Sequence, residues 1–152
     1  MAVTCTLSRI QHRGFVVTGA ELLERLKKDY PGFCFRRGKK FLFRPPKTIV
    51  VGLDEPHASL LLLHEMGHAL CGHRDFGTDA LRLKMEREAW EKARELALIY
   101  GVDYDEEIVE NELDTYRDWL DHKSRCPKCR LARYQTPDGQ YHCPRCESII
   151  KV

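Results

Sequence analysis

The first apolar rhythm along the chain is Leu22, Leu23 and Leu26, which puts three side chains on one face of a helix. Thr18-Gly19-Ala20-Glu21 has the form of a capping box at its start, and Tyr30-Pro31-Gly32 closes it. The period then shortens. Phe33 to Arg36, Lys40 to Arg44 and Thr48 to Val51 read as strands broken by Arg37-Gly38-Lys39 and Pro45-Pro46, and predict a small antiparallel sheet with a basic hairpin. After Gly52-Leu53-Asp54-Glu55-Pro56, whose proline suits a helical first turn, Leu60-Leu61-Leu62-Leu63 and Ala69-Leu70-Cys71 predict a buried helix ending near Gly72.

A third helix should run from Thr78 or Asp79 to Tyr100, with Gly101 as its stop and Leu83, Ala89, Trp90, Ala93 and Ala97 as its apolar stripe. A fourth, from about Asp105 to His122, aligns Val109, Leu113, Tyr116 and Leu120. Arg125 opens a turn-rich segment of different character. The expected class is α+β, with a core over residues 1–122 and a small module over 123–152.

The chain has 152 residues, 43% of them hydrophobic and 32% charged, which suits a soluble globular protein. No apolar run is long enough to span a bilayer, and Met1 to Ile10 lacks a signal-peptide stretch, so a cytoplasmic protein without a membrane partner is expected. Four of the seven cysteines fall in paired C-P-x-C units, whereas Cys5, Cys34 and Cys71 are scattered. That distribution fits metal ligation plus free thiols better than a disulfide framework. The net charge of +2 hides a basic block (Arg36, Arg37, Lys39, Lys40, Arg44, Lys47) and an acidic one (Asp103, Asp105, Glu106, Glu107, Glu110, Glu112, Asp114). Each block can attract a partner of opposite charge, face the other, or simply be solvated.

Within the buried second helix lies His64-Glu65-Met66-Gly67-His68. Positions i and i+4 share a helical face, so His64 and His68 can ligate one divalent metal while Glu65 reaches a water beside it as general base. Buried imidazoles also need a polar partner. An open catalytic zinc site takes a third protein ligand. His73 is nearest, but Gly72 and His73 follow the second histidine by four and five residues, not the three and six of H-E-x-x-H-x-x-G-x-x-H. His73 is therefore read as a helix-end or substrate-side residue. Glu86 fits better, because it lies on the third helix's apolar stripe three residues before Ala89, where small side chains permit close approach. Glu88 falls with Lys92 and Glu95 on the solvent side.

Leu63-His64-Glu65-Met66-Gly67-His68-Ala69-Leu70, followed by Glu86-Arg87-Glu88-Ala89-Trp90-Glu91-Lys92-Ala93, resembles the ImmA/IrrE family of zinc metallopeptidases over about residues 40–100. That resemblance implies a zincin-like core, a third ligand at Glu86 and peptide hydrolysis. The chain departs from the family at Trp90 and Lys92, where Asn and Phe are frequent. The implied substrate is an intracellular protein, such as a repressor or other regulator of a phage, mobile element or defence system. A SprT-like protease acting near DNA is an alternative, although its third ligand is generally histidine. A zincin fold that binds protein or DNA without turnover is another. His73, Tyr100 and Tyr104 are candidates for the donor that a charged transition state requires.

Cys126-Pro127-Lys128-Cys129 and Cys143-Pro144-Arg145-Cys146 flank Thr136-Pro137-Asp138-Gly139, a strong turn signal. Two C-x-x-C knuckles joined by a hairpin describe a four-cysteine zinc ribbon, closed and structural because four thiolates leave no room for water. Arg125, Lys128, Arg130, Arg133, Arg145 and Lys151, with Tyr134 and Tyr141, offer nucleic acid or protein a surface. The ribbon is expected to be an appendage for recognition.

Overall fold

The structure, a computed structural model, describes residues 17–147, 149 and 150. The readings made on Met1 to Ile10, Cys5 and Lys151 fall outside those residues. Four helices are arranged with two small sheets: α1 (Gly19–Asp29), β1 (Cys34–Arg37), β2 (Leu42–Arg44), β3 (Thr48–Val51), α2 (Ala58–Leu70), α3 (Asp79–Tyr100), α4 (Glu106–Ser124), then β4 (Tyr134–Gln135), β5 (Tyr141–His142) and β6 (Ile149–Ile150). The α+β expectation holds at that level.

The capping box forms as expected. Thr18 N–H donates to Glu21 Oε2 at 2.9 Å and Glu21 N–H to Thr18 Oγ1 at 3.3 Å. Leu22, Leu23 and Leu26 of α1 are buried against α2. Tyr100 Oη donates to Asp29 at 2.7 Å, tying the end of α1 to the end of α3.

The first sheet is mixed, which corrects the antiparallel expectation. β3 lies in the middle, parallel to β1 and antiparallel to β2. Composition explains the order: β3 is Thr-Ile-Val-Val and buries Ile49 and Val51, whereas β1 and β2 carry arginines that suit sheet edges. Within this sheet only β2 and β3, across Pro45-Pro46-Lys47, form a hairpin. α2 starts two residues after Pro56, with His57 in left-handed backbone at φ 57° and no side-chain cap, so the proline stands outside the first turn.

α2 is the central element, buried by α1, α3 and the sheet. Gly67 sets the closeness of α2 and α3, since a Cβ built there would lie 2.2 Å from the carbonyl oxygen of Ala89. Val109 and Leu113 of α4 complete the core. α4 continues to Ser124, past the boundary expected at residue 122.

The C-terminal module, a three-stranded antiparallel sheet, is docked onto the core. Asp79, buried in the first turn of α3, accepts from Lys123 Nζ at 2.7 Å, Tyr141 Oη at 2.9 Å and Gln135 Nε2 at 3.3 Å, while its backbone N–H donates to Gln135 Oε1 at 2.7 Å. Burial works against the Asp79 carboxylate, but Lys123 first, then Tyr141 and Gln135, outweigh it and hold its carboxyl below the usual range. The expected appendage is therefore packed against α3. No helix among the described residues is long and apolar enough to cross a membrane.

Candidate metal centre

α2 brings His64 and His68 to one face, and α3 brings Glu86 across to meet them. His64 Nε2 and His68 Nε2 are 3.1 Å apart, and Glu86 Oε2 lies 3.2 Å from the first and 3.3 Å from the second. A metal held at about 2.0–2.1 Å in tetrahedral geometry separates its ligands by about 3.3–3.4 Å. The triangle is thus close to one face of such a tetrahedron, with both histidines presenting the same ring nitrogen. These donors fit a divalent ion, and the third-ligand reading of Glu86 agrees with the geometry.

Electrostatics supports the fit. Burial pushes the His64 imidazole down, favouring the neutral ring that a metal needs. Burial opposes the Glu86 carboxylate as well, yet hydrogen bonds from His64 and His68 outweigh it and hold that carboxyl well below its usual value.

The two histidines are held in different ways. His64 stacks on Trp90, with ring centroids 4.0 Å apart and planes 25° from parallel, and its buried Nδ1 has no protein partner. His68 Nδ1 lies 2.8 Å from His73 Nδ1, and His73 Nε2 lies 3.3 Å from Glu88 Oε2. If the lone pair of His68 Nε2 points to a metal, its Nδ1 carries the proton and donates to His73, whose Nε2–H then donates to Glu88. His73 thus lies outside the group of three, in keeping with the spacing, and contacts His68, one of its members. Glu88 is not purely a solvent-face residue: it also pairs with Lys84 at 3.6 Å, whereas Lys92 turns to Glu95.

Glu65 faces the cleft and accepts the backbone N–H of Phe43, on edge strand β2, at 2.5 Å. Burial pushes its carboxyl up to about 7, against the opposing effects of His68 and the Phe43 N–H. The cleft has a volume of about 290 Å³ and is lined on one side by Phe41, Leu42 and Phe43, on the other by Arg82, Met85, Glu86 and Tyr116. Tyr100 and Tyr104 turn away, bonded to Asp29 and to the carbonyl of Trp90. Of the three residues weighed as donors only His73 lines the cleft, and Tyr116 lines it as well. Burial, then the nearby Glu86, raises its hydroxyl, so it remains a donor. Its sequence signal was only a place on the apolar face of α4, which does not distinguish packing from cleft lining.

The four cysteines Cys126, Cys129, Cys143 and Cys146 also converge, with all sulfurs within 4.8 Å of one another. The two knuckles repeat one local geometry. Arg130 N–H donates to Cys126 O at 2.9 Å, Glu147 N–H donates to Cys143 O at 3.1 Å, and Arg130 and Glu147 adopt left-handed backbone at φ 62° and 52°. The crowded sulfurs, Cys129 foremost, push the Cys146 thiol up to about 12. Four thiolates need a cation between them, and this donor set fits a closed metal site.

The surface expected on the ribbon is smaller than its composition suggests. Tyr141 is buried in the docking contact, Arg125 pairs with Asp121 at 2.7 Å, and Arg133 Nη2 donates to Lys123 O at 2.5 Å. Tyr134 remains exposed. Comparison of the chain with family models, with curated proteins and with solved structures found no match.

Proposed function

We propose that this chain is a zinc-dependent endopeptidase with a zincin-like core, and that its C-terminal module is a structural zinc ribbon. The observation that carries the reading is the convergence of His64, His68 and Glu86 in a cleft where Glu65 stands beside them. His64, His68 and Glu86 would hold the catalytic ion, and the four cysteines the structural one. When bound, zinc supplies Lewis acidity and a lowered pKa for water. Glu65 takes the proton of the attacking water and delivers it to the leaving amine. Phe43 N–H orients the Glu65 carboxylate, and Trp90 and His73 fix the two imidazoles. Tyr116 offers its hydroxyl to the oxyanion that develops on the carbonyl.

The resemblance to ImmA/IrrE peptidases favours a cytoplasmic protein substrate such as a repressor or other regulator, and the exposed basic residues Lys128, Arg130 and Arg145 favour a role for the ribbon in recognition. The test compares new protein termini in cells expressing wild type and Glu65→Gln. Cuts present only with wild type are expected, because general-base assistance contributes about 100- to 10,000-fold. Identical termini in both would sink the hydrolytic reading.

A further inference from the structure

Arg82 lies one helical turn before Glu86 on α3, on the order of 6 Å along the axis, and lines the same cleft. Three aromatic rings surround its guanidinium: Phe76 at 5.2 Å, Tyr116 at 5.3 Å and Trp119 at 5.3 Å. The Tyr116 hydroxyl also accepts from this guanidinium, which with five N–H donors in its plane has others left to bind something else. Yet no carboxylate among the described residues pairs with it; the other cations in this stretch of α3 are engaged, Lys84 with Glu88 and Arg87 with Glu91.

The charge balance of the cleft points the same way. Its charged lining residues are Glu65, Glu86, Arg74 and Arg82. A divalent ion there would neutralise the two carboxylates and leave Arg74 and Arg82 uncompensated in a groove whose remaining walls are largely apolar. A planar, bidentate donor in such a place matches a carboxylate.

We infer that Arg82 forms a carboxylate-binding subsite beside the metal triangle, so that the peptide taken by this cleft presents an acidic side chain, or its own C-terminal carboxylate, within a residue or two of the metal. This rests on the peptidase reading and narrows its substrate class. Arg74, on the rim of the same cleft, adds attraction without the aromatic cage.

The probes are dipeptide-like hydroxamates, which chelate zinc and project one residue beside it, tested by calorimetry on the full-length zinc-loaded chain. One carries Gln with an amidated C-terminus, one Glu with an amidated C-terminus, and one Gln with a free C-terminus. One of the two carboxylate probes should bind roughly 10- to 100-fold more tightly than the neutral one, and which of them does so identifies the source of the anion. Arg82→Met, which fills similar space, should abolish that ratio, and Arg82→Lys should retain only part of it. Ribbon zinc content checks that each variant is folded. Equal binding of all three probes to wild type, or an undiminished ratio in Arg82→Met, overturns the subsite. Failure of every hydroxamate to bind removes the metal-site reading and the subsite with it, whereas selective binding without cleavage of any peptide removes the peptidase reading alone.

Discussion

Replacing Gly67 by alanine tests whether the close approach of α2 and α3 builds the metal site. The added Cβ would meet Ala89 O at 2.2 Å, and real contacts of this kind start at about 3.0 Å, so the helices must separate there by about 0.8 Å. Backbone on both sides leaves no flexible side chain to yield. Ala89 is three residues from Glu86, while metal–ligand distances tolerate only about 0.2 Å of error. Overpacking of this kind costs about 1–3 kcal/mol, partly offset by the roughly 1 kcal/mol that alanine gains over glycine inside a helix. Net stability should therefore fall by about 0–2 kcal/mol. Metal affinity is the sharper readout: if the strain is relieved by opening the triangle, the first site should weaken about 10- to 100-fold. Zinc competition against a chromophoric chelator measures this, with the ribbon's ion as internal reference and Gly77→Ala, where a Cβ meets nothing within 4 Å, as control. A Gly67→Ala protein with wild-type affinity at the first site and an unchanged melting temperature would refute the reasoning.

Glu86→Ala should lose about one metal equivalent and leave the ribbon loaded; retention of both would remove Glu86 from the ligand set. His73→Ala should weaken the first site about 10- to 100-fold, the usual effect of losing a partner to a metal-bound histidine. His73→Asn should restore part of that affinity, because its amide oxygen can accept the His68 Nδ1–H; equal affinity in all three proteins contradicts the relay. In metal-free protein the raised Glu65 carboxyl contributes stability that is complete below its ordinary pKa of 4.5 and lost as pH rises through about 7. Glu65→Gln should therefore gain on wild type by about 3 kcal/mol between pH 4.5 and 8 in urea titrations, and a flat difference would count against that burial. Asp79→Asn keeps the shape but not the ion pair with Lys123, so hydrogen exchange at Gln135 and Tyr141 should accelerate about 10-fold or more, and unchanged protection would deny Asp79 its role in docking.

Helix periodicity made α1, α3 and α4 readable nearly to their ends, because Thr18, Thr78 and Gly101 mark boundaries by local hydrogen bonding and backbone geometry. Strand order was not readable, since pairing β1 with β3 rather than β2 depends on which strand the core most needs in the middle. Glu86 was legible because one helical stripe carries both its carboxylate and the small residues that let it approach. Tyr116, Arg82 and the Phe43 N–H were not legible as cleft groups: each belongs to a different element, and only the packing of α4 and β2 beside α2 and α3 assembles them. His73 stands at the helix end and in the cleft wall, as read from spacing, but its contacts with His68 and Glu88 were not legible, because spacing can exclude a ligand without showing what the ring holds instead.

The docking of the C-terminal module through Asp79 would make the two candidate metal sites thermodynamic partners. An ion among the cysteines would order the hairpin that carries Gln135 and Tyr141, and these side chains brace the first turn of the helix on which Glu86 is carried two turns later. Order transmitted one way is transmitted the other way in equal measure, since a coupling free energy has no direction. Stripping the ribbon with a thiol-selective reagent should therefore loosen the ion held by His64, His68 and Glu86, and filling that triangle should slow the stripping. Independent release of the two ions would show the contact at Asp79 to be a seam between separate units.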